Sequence, residues 1–214
     1  MEGRLILNLS ENDHSFFLRN GTKLYYEKLR IAYKDILDGV ERPYTYFAFV
    51  TLCSATLEAS LNFLIIDYYL NKYGPIRYKQ YCESYMGLPF KNKLHIMPSL
   101  LSEGKLMIDE DNSAIKQLEA LIALRNRLLH NKETLEAFNL PNVGAEIKDG
   151  NLIIPESKKD LEFELMIKDN PIETISKELC IKFGKALGEF KKHIMDLALS
   201  DSFSTNKMVK ECSW

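Results

Sequence analysis

The chain has 214 residues, of which 46% are hydrophobic and 27% are charged, and its formal net charge is −2 with an isoelectric point near 6.1. This length suffices for one domain of ordinary size with its own hydrophobic core. The near-neutral charge argues against a protein that binds nucleic acid through a broad basic face, so any RNA contact must be local.

The helices predicted up to the middle of the chain are separated by glycine and proline. Residues 1–20 precede them as a short extended arm. Thr22 is expected to cap the first helix, Gly39 to end it, and Gly74-Pro75 to separate the second from the third. The predicted helices cover residues 22–38, 43–73, 76–85, 90–101 and 113–131.

A change in pattern at residues 140–168 predicts a small β insertion. Residues 143–154 form a hairpin around a tight Asp149-Gly150 turn. Apolar and charged side chains then alternate over residues 160–168, which is typical of a third strand.

The last predicted element is a long helix that Pro171 opens and that runs to about residue 199. Residues 201–214 are mostly polar and are expected to form a flexible tail. The predicted fold class is therefore all-α, with one helical domain over residues 1–200 that includes the insertion. The expected core stripe of the last helix is Ile175, Leu179, Phe183, Leu187, Phe190 and Ile194.

The positions of cysteine and histidine indicate reduced thiols and no metal centre. The 4 cysteines form no Cys-x-x-Cys pair, and the 4 histidines show no zinc-ligand spacing. The N-terminal apolar run is too short for a signal peptide, and Asp67 interrupts the longest apolar stretch before it reaches the roughly 18 residues of a membrane span. We expect a cytoplasmic protein without a membrane span, a metal or another cofactor.

The most informative feature is a cation inside the apolar stripe of the helix predicted over residues 113–131. Arg125 falls in the middle of that stripe, and Asn126 and His130 lie at its margin. A guanidinium there must be paired, face a cleft or lie at a subunit interface, because it cannot lose its proton. Histidine beside it is the residue type suited to proton transfer near neutral pH. The predicted stripe is Leu118, Leu121, Ile122, Leu128 and Leu129.

A line of polar residues on the second predicted helix supplies a candidate partner for this cation. Ser54, Glu58 and Asn62 recur every four residues and therefore share one face. A buried carboxylate is costly unless it is paired, and Arg125 is the obvious partner of Glu58. Such a pair would hold two helices in register, and it would also fix Arg125 for chemistry.

Simpler roles are available for other candidates. His130 alone would be read as a helix-end residue that favours the C-terminal dipole. Lys91, Lys93 and His95 could approach phosphate, but a solvated helix face is the simpler interpretation. Arg127 points away from the stripe and is expected to be solvated.

Arg125-x4-His130, with Asn126 directly after the arginine, resembles the Arg-x(4–6)-His motif of the HEPN superfamily. Many members of this superfamily of small helical proteins are RNA-cleaving toxins or defence proteins. The resemblance implies a HEPN-like bundle and a metal-independent endoribonuclease, in which the RNA 2′-hydroxyl attacks the adjacent phosphorus. Arg125 would stabilise the phosphoryl charge, His130 would transfer a proton, and Asn126 would orient His130 or the phosphate. Supporting positions would be Ser54, Glu58 and Asn62.

The same resemblance implies RNA as the substrate, a homodimer that builds one cleft from two motifs, and an antitoxin or other neighbouring-gene partner. Lys132 stands where toxins paired with a nucleotidyltransferase antitoxin carry a tyrosine that receives nucleotidyl groups, so that mode of neutralisation is not expected. Two alternatives stay open. One is a non-catalytic HEPN-like binding or scaffold domain, and the other is a helical partner of a nucleotidyltransferase-type effector.

Overall fold

The structure is a computed structural model that describes residues 3–7, 15–19, 21–40, 42, 44–129, 146–153, 171–195 and 207–212. Helices dominate the described residues, and the strands form small two-stranded sheets. The predicted all-α class with a small β insertion is therefore confirmed. The helices are α1 (Thr22–Leu37), α2 (Thr45–Met86), α3 (Phe90–Leu101), α4 (Ser113–Leu129) and α5 (Lys177–Phe190), and α5 continues into a π-helical turn (Lys191–Met195).

Six short strands accompany these helices in the described part of the chain. They pair as three separate antiparallel ladders, each of two strands. The strands are β1 (Gly3–Leu7), β2 (Ser15–Arg19), β3 (Leu106–Ile108), β4 (Glu146–Lys148), β5 (Asn151–Ile153) and β6 (Val209–Glu211).

Helix α2 is the centre of the bundle and packs against α1, α3, α4 and α5. Up to Leu70 it is apolar nearly all round, which is the pattern of a buried helix. By length and composition alone α2 would be long enough to cross a membrane, contrary to the expectation from Asp67, but 56% of its apolar window is buried inside the protein. The central helix of a soluble bundle has the same character. Fully buried core side chains include Leu57, Leu61, Ile65, Leu118, Phe183 and Phe190.

Glycines end or interrupt the helices where the sequence predicted. Gly74 has a φ of 74°, outside helical geometry, so α2 bends there and continues after Pro75. Gly39 has a φ of 75° just after α1. Its N–H donates to the Ile36 carbonyl (3.3 Å), and the N–H of the next residue donates to the Asp35 carbonyl (2.9 Å), which is a Schellman ending.

Two predicted helix starts are wrong. Thr22 is the first helical residue of α1, and Gly21 occupies the cap position without a side-chain hydrogen bond. Pro171 lies in a turn, and α5 begins after Ser176, whose Oγ accepts a hydrogen bond from the Leu179 N–H (3.3 Å). The start of α5 is therefore set by a hydroxyl that accepts a hydrogen bond from an N–H of the first turn, and not by the proline. The core stripe of this helix is otherwise confirmed, since only Leu179 among its members is partly exposed.

The predicted hairpin around Asp149-Gly150 is confirmed. Strands β4 and β5 pair with Lys148 opposite Asn151, and the two turn residues have φ values of 52° and 78°. Positive φ at both positions is the signature of the tight turn that the Asp-Gly pair favours. The third strand predicted at 160–168 lies outside the described residues.

Both ends of the chain carry more structure than the sequence predicted. The expected N-terminal arm contains an antiparallel hairpin, with Gly3 paired to Arg19. The flexible tail predicted for 201–214 is wrong for residues 207–212, because β6 pairs with β3 and Met208 is buried. The Met208 carbonyl accepts the Asp109 N–H (3.0 Å), so the segment is fixed against the loop before α4.

One glycine of α5 allows a close helix approach and gives a testable prediction. A Cβ at Gly184 would lie 2.5 Å from the Tyr33 ring, whereas a Cβ at Gly188 would meet nothing within 4 Å. The Tyr33 ring stacks on Phe49 with centroids 6.0 Å apart, so it has little freedom to yield. We expect Gly184→Ala to destabilise the protein by about 1–3 kcal/mol through overpacking.

Gly188→Ala on the same helix is the matched control. It should stabilise by up to about 1 kcal/mol, because alanine is the better helix former. Urea unfolding of both variants measures the contrast, and equal effects would contradict the close packing of α1 on α5.

Candidate functional site

Arg125 lies where α2, α3 and α4 meet. Its Nη2 is 3.5 Å from the Glu58 Oε2 of α2, and its Nη1 donates to the Asn126 Oδ1 at 3.0 Å. Its Cζ lies 5.8 Å from the ring centroid of Phe90, the first residue of α3. These contacts fix a planar cation from three sides.

The predicted pair of Glu58 and Arg125 is formed, but it is not deeply buried. The side chain of Arg125 is 24% exposed and that of Glu58 is 36% exposed. The stripe of α4 is shifted from the prediction, because Leu124 is buried whereas Leu129 is 52% exposed. Arg125 therefore lies at the border between core and solvent, where a guanidinium keeps part of its hydration.

This exposure changes the expected cost of removing Glu58. A buried pair would cost several kcal/mol to break, whereas a partly exposed pair with a 3.5 Å contact contributes about 1 kcal/mol or less. We expect Glu58→Gln to lower the free energy of unfolding by that smaller amount in urea titrations. A loss above about 3 kcal/mol would show that the pair behaves as a buried one.

A second polar contact follows that of Glu58 with Arg125 along α2, and it joins α2 to α3. The Lys93 Nζ donates to the Asn62 Oδ1 at 2.9 Å, and Lys93 is only 5% exposed. The solvated helix face expected for this lysine is therefore wrong. The sequence did carry the signal, because Lys93 sits beside the apolar positions of α3, just as Arg125 sits within those of α4. These positions are Phe90, Leu94 and Met97, all buried.

The two contacts share one face of α2. Glu58 and Asn62 are four residues apart, so they lie about 6 Å apart along the helix axis. Of the predicted polar line, Ser54 does not join them, because its Oγ donates to the Thr51 carbonyl of its own helix (2.9 Å). The structure thus brings together Glu58, Asn62, Lys93, Arg125 and Asn126, and the predicted His130 lies outside the described residues.

A separate charged cluster clamps the other side of α3 to α4. The His95 Nε2 lies 2.5 Å from the Glu119 Oε1, and the Lys91 Nζ lies 3.1 Å from the same oxygen. Burial alone would raise the pKa of Glu119, but the hydrogen bonds from Lys91 and His95 outweigh it and lower that pKa. The Glu119 carboxylate therefore stays ionised and binds the two helices together.

Two of the surface pockets that described residues line lie elsewhere on the molecule. One, of about 280 Å³, lies between α1 and the start of α2, and another, of about 290 Å³, is lined by tyrosines of α2 and by Glu103. Neither is lined by Arg125 or Lys93. Across the described residues no group of three histidine, cysteine or carboxylate side chains is placed to hold a metal ion.

Comparison of this chain with protein-family models, curated proteins and solved structures gave no match. The candidate site accordingly stands on the contacts of the chain's own residues.

Proposed function

We propose that this protein is a metal-independent endoribonuclease of the HEPN type that acts in a toxin or antiphage defence role. The observation that carries the proposal is the placement of Arg125. It is held by Glu58, Asn126 and Phe90, keeps 24% of its side chain exposed, and stands five residues before His130.

The contacts of Arg125 suit it to bind a phosphoryl group. A guanidinium has five N–H donors in a rigid fork, and the two described contacts engage one Nη each. The remaining donors can meet the oxygens of a phosphodiester in a bidentate arrangement. Because Glu58 and Asn126 orient the fork beforehand, little ordering is needed when charge develops in the transition state.

Beside the arginine, the proposed reaction uses the substrate's own hydroxyl, a proton-transfer residue and water. The ribose 2′-oxygen forms a bond to the adjacent phosphorus while the bond from phosphorus to the 5′-oxygen breaks. The proton leaves the 2′-hydroxyl and another reaches the 5′-oxygen. His130 is the group proposed to carry one of these transfers, and solvent water carries the other. The products are a 2′,3′-cyclic phosphate and a 5′-hydroxyl.

We propose further that the active form is a homodimer joined near the end of α4. Leu129 is 52% exposed and directly precedes His130, so an apolar contact at this position would bring two motifs together. Leu129→Glu should shift the protein from dimer to monomer in light scattering at tens of micromolar (order of magnitude), since two carboxylates would face each other at the interface. A wild-type protein that is already monomeric would contradict the dimer.

Cleavage of single-stranded RNA by the purified protein in excess EDTA tests the proposed activity. We expect cleavage to persist at an unchanged rate when divalent metal is removed, because the proposed groups are Arg125 and His130. Activity that is lost in EDTA and restored by Mg²⁺ would contradict the proposal.

A second candidate function is a non-catalytic binding or scaffold domain, which the contact between Glu58 and Arg125 favours because it partly neutralises the cation. The near-neutral net charge of −2 points the same way. Inactivity of the wild type on a broad RNA panel, both alone and with the product of a neighbouring gene, would favour this domain or a partner of a nucleotidyltransferase-type effector.

A further inference from the structure

The charge around Lys93 is unbalanced. Lys93 is 5% exposed, and the acceptor that its ammonium contacts is the neutral amide oxygen of Asn62. Among the described residues no carboxylate forms an ion pair with it, since Glu58 contacts Arg125 instead. A buried ammonium normally has a negative partner, because taking a lone charge out of water is costly.

The neighbouring groups add to this positive charge. Arg125 contacts one carboxylate, that of Glu58, at the long distance of 3.5 Å. The carboxylate of Glu119 does not offset the charge of Lys93, because it contacts Lys91 on another face of α3. The first turn of α3 contains no acidic residue and no side-chain cap. Its unpaired N–H groups and dipole therefore favour an anion as well.

Solvent reaches this polar face through its partly exposed members. Asn62, Glu58 and Arg125 are all of intermediate exposure, although Lys93 itself is buried. Because Asn62 accepts the hydrogen bond, the ammonium end of Lys93 is held beside a partly exposed side chain. An ammonium has three donors, so one bond to Asn62 leaves two for a ligand.

We propose that Lys93 and Arg125 together form a phosphate-binding site between α2, α3 and α4, in which Asn62 holds the Lys93 ammonium in place. The site binds the oxygens of a phosphate monoester or diester. That this ligand is the RNA backbone rests on the proposed function. Lys93 is then a binding residue that adds a second cation to the arginine of the motif.

The test uses inorganic phosphate as the probe and Asn62→Asp as the variant. Aspartate has the same shape as asparagine and supplies Lys93 with its missing carboxylate, so the fold is kept while the anion is excluded. Lys91→Met lowers the net charge by the same amount without touching the site and is the matched control.

The measurement is the melting temperature against phosphate concentration, compared with chloride at equal ionic strength. A ligand that binds the folded state raises the melting temperature saturably. We expect wild type and Lys91→Met to show the same phosphate-specific rise within about twofold in half-saturation, and Asn62→Asp to require about tenfold more phosphate, since it loses charge-assisted hydrogen bonds. If Asn62→Asp does not fold, Lys93→Met provides the same comparison.

A wild type without a phosphate-specific rise would overturn the site, and so would an Asn62→Asp variant that responds as the wild type does. RNA cleavage measured in parallel separates the two proposals. Phosphate binding without cleavage removes the proposed function and leaves the site. Cleavage by a protein whose phosphate response is unchanged in Asn62→Asp removes the site and leaves the function.

Discussion

Replacing His130 by alanine is expected to lower the rate of RNA cleavage by about 10²-fold or more, which is the usual effect of removing a proton-transfer residue. The melting temperature and the oligomeric state should stay those of the wild type, because the change removes no apolar side chain. Initial rates on a labelled single-stranded RNA measure the effect.

His193→Ala is the control for this experiment. His193 follows α5 in the π-helical turn and lies 3.0 Å from Glu189, and it has no part in the proposed chemistry. It should leave the cleavage rate unchanged. Full activity in a folded His130→Ala protein would rule out the catalytic assignment of His130.

Arg125→Lys should lower the turnover rate by about 10²–10³-fold although the positive charge is kept. Lysine cannot reproduce the rigid fork that Glu58, Asn126 and Phe90 orient, and it presents a point charge in place of two parallel donors. Single-turnover rates at saturating RNA isolate this effect from binding.

Arg127→Lys is the matched control on the same helix. Arg127 is exposed, as the sequence analysis expected, and should tolerate the change without loss of activity. An Arg125→Lys variant as active as Arg127→Lys would show that Arg125 contributes only charge or only packing.

The features that the sequence predicted correctly have local causes. Gly39 and Gly74 change the backbone direction because glycine adopts a positive φ without steric cost. Asp149-Gly150 closes a hairpin because its turn needs a positive φ at both positions, which Asp-Gly pairs favour. The bounds of α3 also follow from local residues: Pro89 precedes it, and Glu103 and Gly104, both with positive φ, follow it.

The features that the sequence missed depend on distant contacts or on competition between two local signals. Strands β3 and β6 are about a hundred residues apart, and three-residue strands carry no readable periodicity. Both Pro171 and Ser176 are residue types that can start a helix. The helix α5 begins after Ser176, because its Oγ accepts the hydrogen bond of the Leu179 N–H.

The candidate site was predicted in part. The contact of Glu58 with Arg125 was predicted because each is a charged residue within an apolar helix face. The degree of burial of the pair could not be predicted, because it depends on how α2, α3 and α4 pack. Lys93 was assigned to solvent since its neighbours Lys91 and His95 are polar. The stripe of Phe90, Leu94 and Met97 beside it would have indicated burial.

The chemistry of the RNA ends tests the central claim most directly. The purified wild type is incubated in excess EDTA with a single-stranded RNA oligonucleotide and, separately, with its all-deoxy counterpart. Attack by the 2′-hydroxyl predicts RNA fragments that end in a 2′,3′-cyclic phosphate with a 5′-hydroxyl on the other product, and an intact deoxy strand. Fragments that carry a 3′-hydroxyl and a 5′-phosphate, or cleavage of the deoxy strand, would contradict it.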